Sequence, residues 1–218
     1  MPKPFAMIIG NDNWKCKTRA DSAVTQQTSN WRFKMVATRL REGEVIAYPT
    51  EGVWGLGCVP ENLQAVNRIL ALKHRAWQQG LILVASSIAQ CEAYLGEITP
   101  AQRAQLDATW PGPVTFLVPR GAAVPDWIAG DSDKVALRVS AHPVIRGLCQ
   151  QLGQPLVSTS ANPSGKAPAL TALQVQRYFH GNVDYVLPGR LSVPGAASEI
   201  RDLASGQVIR PGAGSSSK

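Results

Sequence analysis

Pro155-Leu156-Val157-Ser158-Thr159-Ser160-Ala161-Asn162-Pro163-Ser164-Gly165 runs a short apolar β-type segment directly into hydroxyls, an amide and a glycine. Leu156 and Val157 read as the end of a buried strand, and Asn162-Pro163 with Ser164-Gly165 read as turn signals. The hydroxyls and the amide therefore fall at a strand-to-loop edge, which is where ligands bind in open α/β sheets. Both group types donate and accept, so they can hold phosphate, carboxylate or ribose without carrying charge. The same residues also build Asx and Ser turns that satisfy only local backbone, and at this point both readings stand.

Outward from this stretch, segments of both periodicities alternate. Trp31, Met35, Val36 and Leu40 recur at helical spacing, with Gly43 placed to stop the helix. Val45 to Tyr48 reads as a buried strand closed by Pro49, and Leu63, Val66, Ile69, Leu70 and Leu72 as an amphipathic helix ending on Lys73 and Arg75. Leu81 to Val84, Val114 to Val118, Val135 to Val139 and Tyr185 to Leu187 read as further strands. Thr99-Pro100 has the form of an N-cap and first-turn proline, and helices are expected near 143–152 and 171–179. The alternation predicts a single α/β domain, a twisted mixed β-sheet with flanking helices. Residues 1–30 carry little apolar periodicity and read as a poorly ordered extension, residues 31–211 as the domain, and residues 212–218 as a flexible tail.

With 218 residues and 44% hydrophobic content the chain fills one sizeable domain. No apolar run approaches the roughly 20 residues of a membrane span, and no basic region precedes an apolar one at the N-terminus, so a soluble, cytoplasmic protein is expected. Cys16, Cys58, Cys91 and Cys149 show no Cys-x-x-Cys spacing, and His74, His142 and His180 do not complete a ligand set, which predicts free thiols and no zinc. The net charge of +7 favours an anionic partner, but it is spread without a Lys/Arg block.

Four loops marked by Gly or Pro carry polar residues. Tyr48-Pro49-Thr50-Glu51-Gly52-Val53-Trp54-Gly55-Leu56-Gly57 has glycines that permit close approach of backbone to a ligand, yet it matches neither the phosphate-cradling loop nor the dinucleotide fingerprint. Lys73-His74-Arg75 places two cations at a helix end, where basic residues ordinarily complement the macrodipole. Trp110-Pro111-Gly112-Pro113-Val114-Thr115 is a rigid turn into a strand, its aromatic read as packing. The fourth is the opening Ser/Asn loop.

Taken in order, and joined by Val135-Ala136-Leu137-Arg138-Val139 and His142-Pro143, these loops resemble the motif series of the YrdC-like family, the threonylcarbamoyl-AMP synthases. The resemblance runs from Trp31 to Arg210 and is to the single-domain bacterial form. It implies an α/β twisted sheet with a concave basic groove. It also implies a reaction of L-threonine, bicarbonate and ATP that gives threonylcarbamoyl-adenylate and pyrophosphate, passed to a downstream threonylcarbamoyl-transfer complex that modifies tRNA. By the same resemblance Lys73, Arg75, Ser160 and Asn162 hold the triphosphate and carry catalysis, with Arg210 a further nucleotide contact. Arg138 pairs with the threonine carboxylate, Thr50, Ser158 and Ser198 line the amino-acid pocket, and Mg2+ arrives on ATP. Ala76 stands where the family usually has proline, and Gly52 where many relatives carry a second threonine.

Bringing a carboxylate oxygen onto phosphorus requires cations, which Lys73 and Arg75 supply. No Asp, Glu or His in the motifs stands in an obvious base position, so catalysis is expected to rest on positioning and charge stabilisation. The competing reading is an RNA-binding or ribosome-maturation factor without turnover, its basic groove holding tRNA or double-stranded RNA. Against it, Phe and Tyr are dispersed and form no stacking platform. A third reading, a detached carbamoyl-transfer domain, predicts use of carbamoyl phosphate.

Overall fold

A computed structural model describes residues 19–195 and 197–212, with side chains from residue 30 onward. In chain order the strands are β1 (Ile46–Pro49), β2 (Trp54–Gly57), β3 (Ile82–Ala85), β4 (Val114–Pro119), β5 (Lys134–Val139), β6 (Leu156–Ser160), β7 (Tyr185–Val186), β8 (Glu199–Asp202) and β9 (Val208–Arg210). The helices are α1 (Arg19–Arg41), α2 (Leu63–Lys73), α3 (Ile88–Cys91), α4 (Pro100–Thr109), α5 (Asp126–Ala129), α6 (Pro143–Leu152) and α7 (Ala172–Phe179). Among the described residues the strands form one sheet in the order β7-β1-β2-β6-β3-β5-β4-β8-β9. Pairing is mixed: β1–β7, β3–β5 and β4–β8 are parallel, and the remaining neighbours are antiparallel.

Alternation along the strands feeds two apolar cores, one on each face of the sheet. Val45, Ala47, Leu83, Leu137 and Val157 enter the core that also holds Ile69 and Leu70 of α2, Leu106 of α4 and Phe179 of α7. Ile46, Tyr48, Val84 and Leu156 enter the other, with Val36 and Leu40 of α1 and Ile145 and Leu148 of α6. The Val, Leu, Ile and Phe side chains among these each contribute up to about 1.5–3 kcal/mol relative to exposure. Gly147 sets the approach of α1 to α6, because a Cβ there would stand 2.3 Å from the Phe33 ring.

Sequence expectations are met at β1, β3, β4, β5, β7, α2, α6 and α7, and at the capping box of α4, where Thr99 and Gln102 cap each other. Two differences matter. α1 begins at Arg19, inside the segment read as an extension; residues 1–18 lie outside the described residues, as does the tail beyond Gly212. Trp54–Gly57, read as part of a glycine loop, is strand β2, paired on both sides by β1 and β6. Two glycines in four residues give weak strand propensity, and tertiary context overrides it. Gly57 serves packing: a Cβ there would meet the Val157 carbonyl at 2.5 Å and the Tyr48 ring at 2.8 Å. Nothing in the sequence reading anticipated β8 or β9, which are short and, in the case of β9, exposed.

Candidate active site

Period-two alternation along β6 places Ser158 and Ser160 on the same face as Leu156, opposite Val157. On β5, Arg138 likewise faces away from Leu137 and Val139, which enter the other core. This face is apolar where α1 and α6 cover it, and where they do not it carries Arg138, Ser158 and Ser160 among apolar side chains such as Ile82 and Ala136. The uncovered part is a cleft of about 860 Å3, floored by β3, β5 and β6 and bounded by the β1–β2 turn, the 192–198 segment and β9. Of the residues singled out from the sequence, Thr50, Arg75, Arg138, Ser158, Ser160, Ser198 and Arg210 line it; Lys73 and Asn162 do not.

Lys73 closes α2 and is only 5% exposed. Its ammonium donates to the Ser160 carbonyl, to the Asn162 carbonyl at 2.9 Å and to Asn162 Oδ1 at 3.3 Å. The Ser164 N–H returns a bond to the Lys73 carbonyl at 2.8 Å. Asn162 Nδ2 donates to the Pro163 and Lys166 carbonyls, so the loop is tied on both sides. Burial, then the neighbouring Arg75 charge, lowers the Lys73 pKa to about 8. His74 between the two cations adopts the left-handed conformation that caps α2 and turns the chain, and Arg75 beyond it lines the cleft. The family resemblance implies that Lys73 holds the triphosphate; here its protons go to loop oxygens and it does not line the cleft.

Arg75 donates from Nη2 to the Gly80 carbonyl at 2.9 Å, while its Nε is buried without a partner. Burial lowers its pKa. Arg210 donates to the Ser198 carbonyl at 2.8 Å and to Ser198 Oγ at 3.3 Å; Ser198 Oγ also lies 3.0 Å from Thr115 Oγ1. Its pKa is lowered by burial against the cleft wall and then by the charges of Arg138 and Arg75. Three guanidinium groups thus face one space, an arrangement that an anion relieves.

Arg138 is almost fully buried and lies 3.3 Å from Glu51 Oε2. Glu51, quoted in the first loop but given no role from the sequence, also lines the cleft, and its Oε1 accepts from Ser140 Oγ at 2.6 Å. The 190–195 segment is tied to the same turn, since Val193 N–H and Gly195 N–H donate to the Glu51 and Gly52 carbonyls at 2.7 and 2.9 Å. His142 caps α6 by accepting the Val144 N–H on Nδ1, and its Nε2 lies 3.1 Å from the Arg190 carbonyl. That pairing requires the neutral Nε2–H tautomer, and burial lowers the His142 pKa in the same sense. Trp110 is packing, as expected: its ring meets Phe116 edge-on at 5.6 Å and its Nε1 donates to the Val114 carbonyl. Among the described residues no group of three or more His, Cys, Asp or Glu is gathered where it could hold a metal ion, and no helix is long and apolar enough to cross a membrane.

A family model for Sua5, YciO and YrdC, described as "Telomere recombination", matches residues 38–212. The threonylcarbamoyl-AMP synthase of Nitrosococcus oceani is 50% identical over 181 residues, spanning 83% of this chain and 98% of that protein. The structure of P. abyssi Sua5 complexed with L-threonine superposes with a TM-score of 0.79 at 34% identity, covering 84% of this chain and 54% of that one, so this chain spans about half of it. E. coli YciO shares the fold, with a TM-score of 0.75 at 24% identity over 84% of this chain and 90% of its own. With the family model matched across β1 to β9 and a relative of equal extent half identical to it, the chain belongs to the Sua5/YciO/YrdC family.

Proposed function

We propose that the chain is a threonylcarbamoyl-AMP synthase, condensing L-threonine, bicarbonate and ATP to threonylcarbamoyl-adenylate and pyrophosphate. The observation that carries this reading is the convergence of Arg75, Arg138 and Arg210 with the hydroxyls of Thr50, Ser158, Ser160 and Ser198 on one cleft. ATP and threonine carbamate are both anions, and the cleft offers cations without a matching number of carboxylates.

In this reading Arg75 and Arg210 flank the triphosphate. As a carbamate oxygen closes on the α-phosphorus, charge builds on the departing pyrophosphate, and fixed guanidinium groups in a partly dry cleft stabilise it without reorganising. Ser160 donates to a phosphate oxygen, and Lys73 with Asn162 holds the loop that presents it. Arg138 takes the threonine carboxylate with its planar fork. Thr50, Ser158 and Ser198 receive the substrate hydroxyl, so valine should react far more slowly than threonine because it leaves buried polar groups unpaired. Magnesium would enter on the triphosphate with phosphate and water as its ligands, neutralising phosphate charge.

The product is a mixed anhydride, and it would pass to a threonylcarbamoyl-transfer complex acting on tRNA in the cytoplasm; the positive surface suits passing contact with tRNA or double-stranded RNA. The decisive experiment is pyrophosphate release from ATP in the absence of RNA. Release that requires both threonine and bicarbonate is expected. Release indifferent to threonine, or none, would overturn the synthase reading in favour of an RNA-binding role.

A further inference from the structure

Two of the charged side chains in the cleft meet without mating. Arg138 Nη1 stands 3.3 Å from Glu51 Oε2, yet Oε2 makes no hydrogen bond, and neither does Arg138 Nε; both atoms are buried. A carboxylate against a guanidinium ordinarily forms short, parallel N–H···O bonds. Buried polar atoms left unpaired are uncommon because each costs its desolvation. Here an anionic acceptor and a cationic donor, in charge contact but each with an atom that makes no hydrogen bond, sit side by side on the wall of a ligand-sized cleft. A molecule that completes both must carry a cationic donor and an anionic acceptor on neighbouring atoms, as the ammonium and carboxylate of an α-amino acid do.

The surroundings narrow the acceptor to Glu51. Glu199, the other acid lining the cleft, is occupied by Arg201, which reaches its Oε1 at 2.6 and 2.9 Å. Glu51 is held from both sides: Ser140 Oγ donates to Oε1, and Val193 N–H holds its carbonyl. Its second oxygen is therefore aimed while remaining unspent. An ammonium brought beside Arg138 also needs a counter-charge there, and Glu51 supplies it.

We propose that Glu51 receives the α-ammonium of the substrate amino acid while Arg138 holds the carboxylate, so that the pair reads a zwitterion. The assignment rests on the synthase reading of the cleft. It makes Glu51 a specificity-determining residue, selecting a free amine over a hydroxy acid of the same shape.

The test measures binding of L-threonine and of 3-hydroxybutanoate, which is threonine without its amine, by titration calorimetry on the full chain and its Glu51→Gln and Glu51→Asp variants. The parent should bind threonine at least about tenfold more tightly than 3-hydroxybutanoate, the effect of one lost charged hydrogen bond. Glu51→Gln should lose most of that preference while binding 3-hydroxybutanoate at least as tightly as the parent, since Arg138 loses its counter-charge, with a melting curve confirming that it is folded. Glu51→Asp keeps the charge with a shorter reach and should fall between them, which decides the matter if the glutamine variant does not fold. Equal binding of both ligands by the parent, or an undiminished preference in a folded variant, would overturn the assignment. An active parent with indifferent Glu51 variants sinks this assignment alone, whereas a parent without threonine-dependent pyrophosphate release sinks the synthase reading.

Discussion

Lys73 at the end of α2 and Asn162 in the loop after β6 are joined twice, the ammonium donating to the asparagine carbonyl at 2.9 Å and to its side-chain oxygen at 3.3 Å. With the third proton directed at the Ser160 carbonyl, the lysine spends its donors on the loop that carries the cleft serine. Lys73→Met removes all three bonds and takes the ammonium from both Asn162 oxygens, while the Ser160 carbonyl keeps the Asn162 N–H, a loss of about 1–3 kcal/mol. A clear drop in melting temperature is expected, along with reduced pyrophosphate release. Melting at the parental temperature would place Lys73 outside the loop's support.

The same lysine predicts a pH dependence. Its folded pKa lies near 8, below the ordinary 10.5, because burial disfavours the charged form. Between those values the unfolded chain holds a proton that the folded chain has released, so stability contributed at this site rises with pH. The gain is about 3 kcal/mol at most, because the three acceptors favour the charged ammonium. Burial raises the pKa of Tyr48, Tyr94 and the buried cysteines, so those groups act in the opposite direction, but equally in parent and variant. The difference in unfolding free energy between parent and Lys73→Met, followed by denaturant titration from pH 8 to 10.5, should therefore widen as pH rises. A constant difference would contradict the shift.

Arg75 and Arg210 should separate rate from stability. The Arg210 side chain lies at the edge of the cleft and bonds to Ser198 alone among the described residues, so Arg210→Ala should melt close to the parent. Arg75→Ala also frees the Gly80 carbonyl and should lose somewhat more stability. Each should lose on the order of a hundredfold in threonine-dependent pyrophosphate release, the usual effect of removing a group that stabilises transition-state charge. Folded variants with parental turnover would show that neither touches the phosphates.

Ala76 already has φ −68° and ψ 136°, which a proline adopts, and its N–H makes no backbone bond among those described. Ala76→Pro should raise stability by about 0.4–1 kcal/mol by restricting the unfolded chain. Thermal melts would register this, with activity unchanged; a lower melting temperature would mean that Arg75 needs a conformation proline forbids.

Removing residues 1–30 should leave melting temperature and adenylate synthesis nearly unchanged. The α1 residues that enter the core, Val36, Ala37 and Leu40, with Phe33 packed against them, all follow that segment. Among the described contacts the truncation takes only the Asn30 bond from Gln151. A large loss of either property would mean that the first turns of α1 dock as well.

Local chemistry was enough to read much of this protein from its sequence. The short runs at Val45, Leu81, Val114 and Val135 are dominated by β-branched and other apolar residues, as buried strands are, and Thr99-Pro100 carries a cap that acts within one turn. The Ser/Asn stretch was legible only in part: Leu156 and Val157 belong to a buried strand as read, but β6 runs on through Ser160, so the hydroxyls at 158–160 lie within the strand, Ser158 is buried, and the loop begins only at Ala161. Tertiary structure decided the rest. Trp54-Gly55-Leu56-Gly57 is a strand because β1 and β6 complete its hydrogen bonds on both sides, which no propensity of two glycines could reveal. Lys73 and Arg75 are equivalent in sequence, yet a single left-handed residue between them turns one into the loop and the other into the cleft. Glu51 acquires meaning only beside Arg138, which is distant in sequence and 3.3 Å away in space, because the charge of a side chain is written in the sequence while its partner is chosen by the fold.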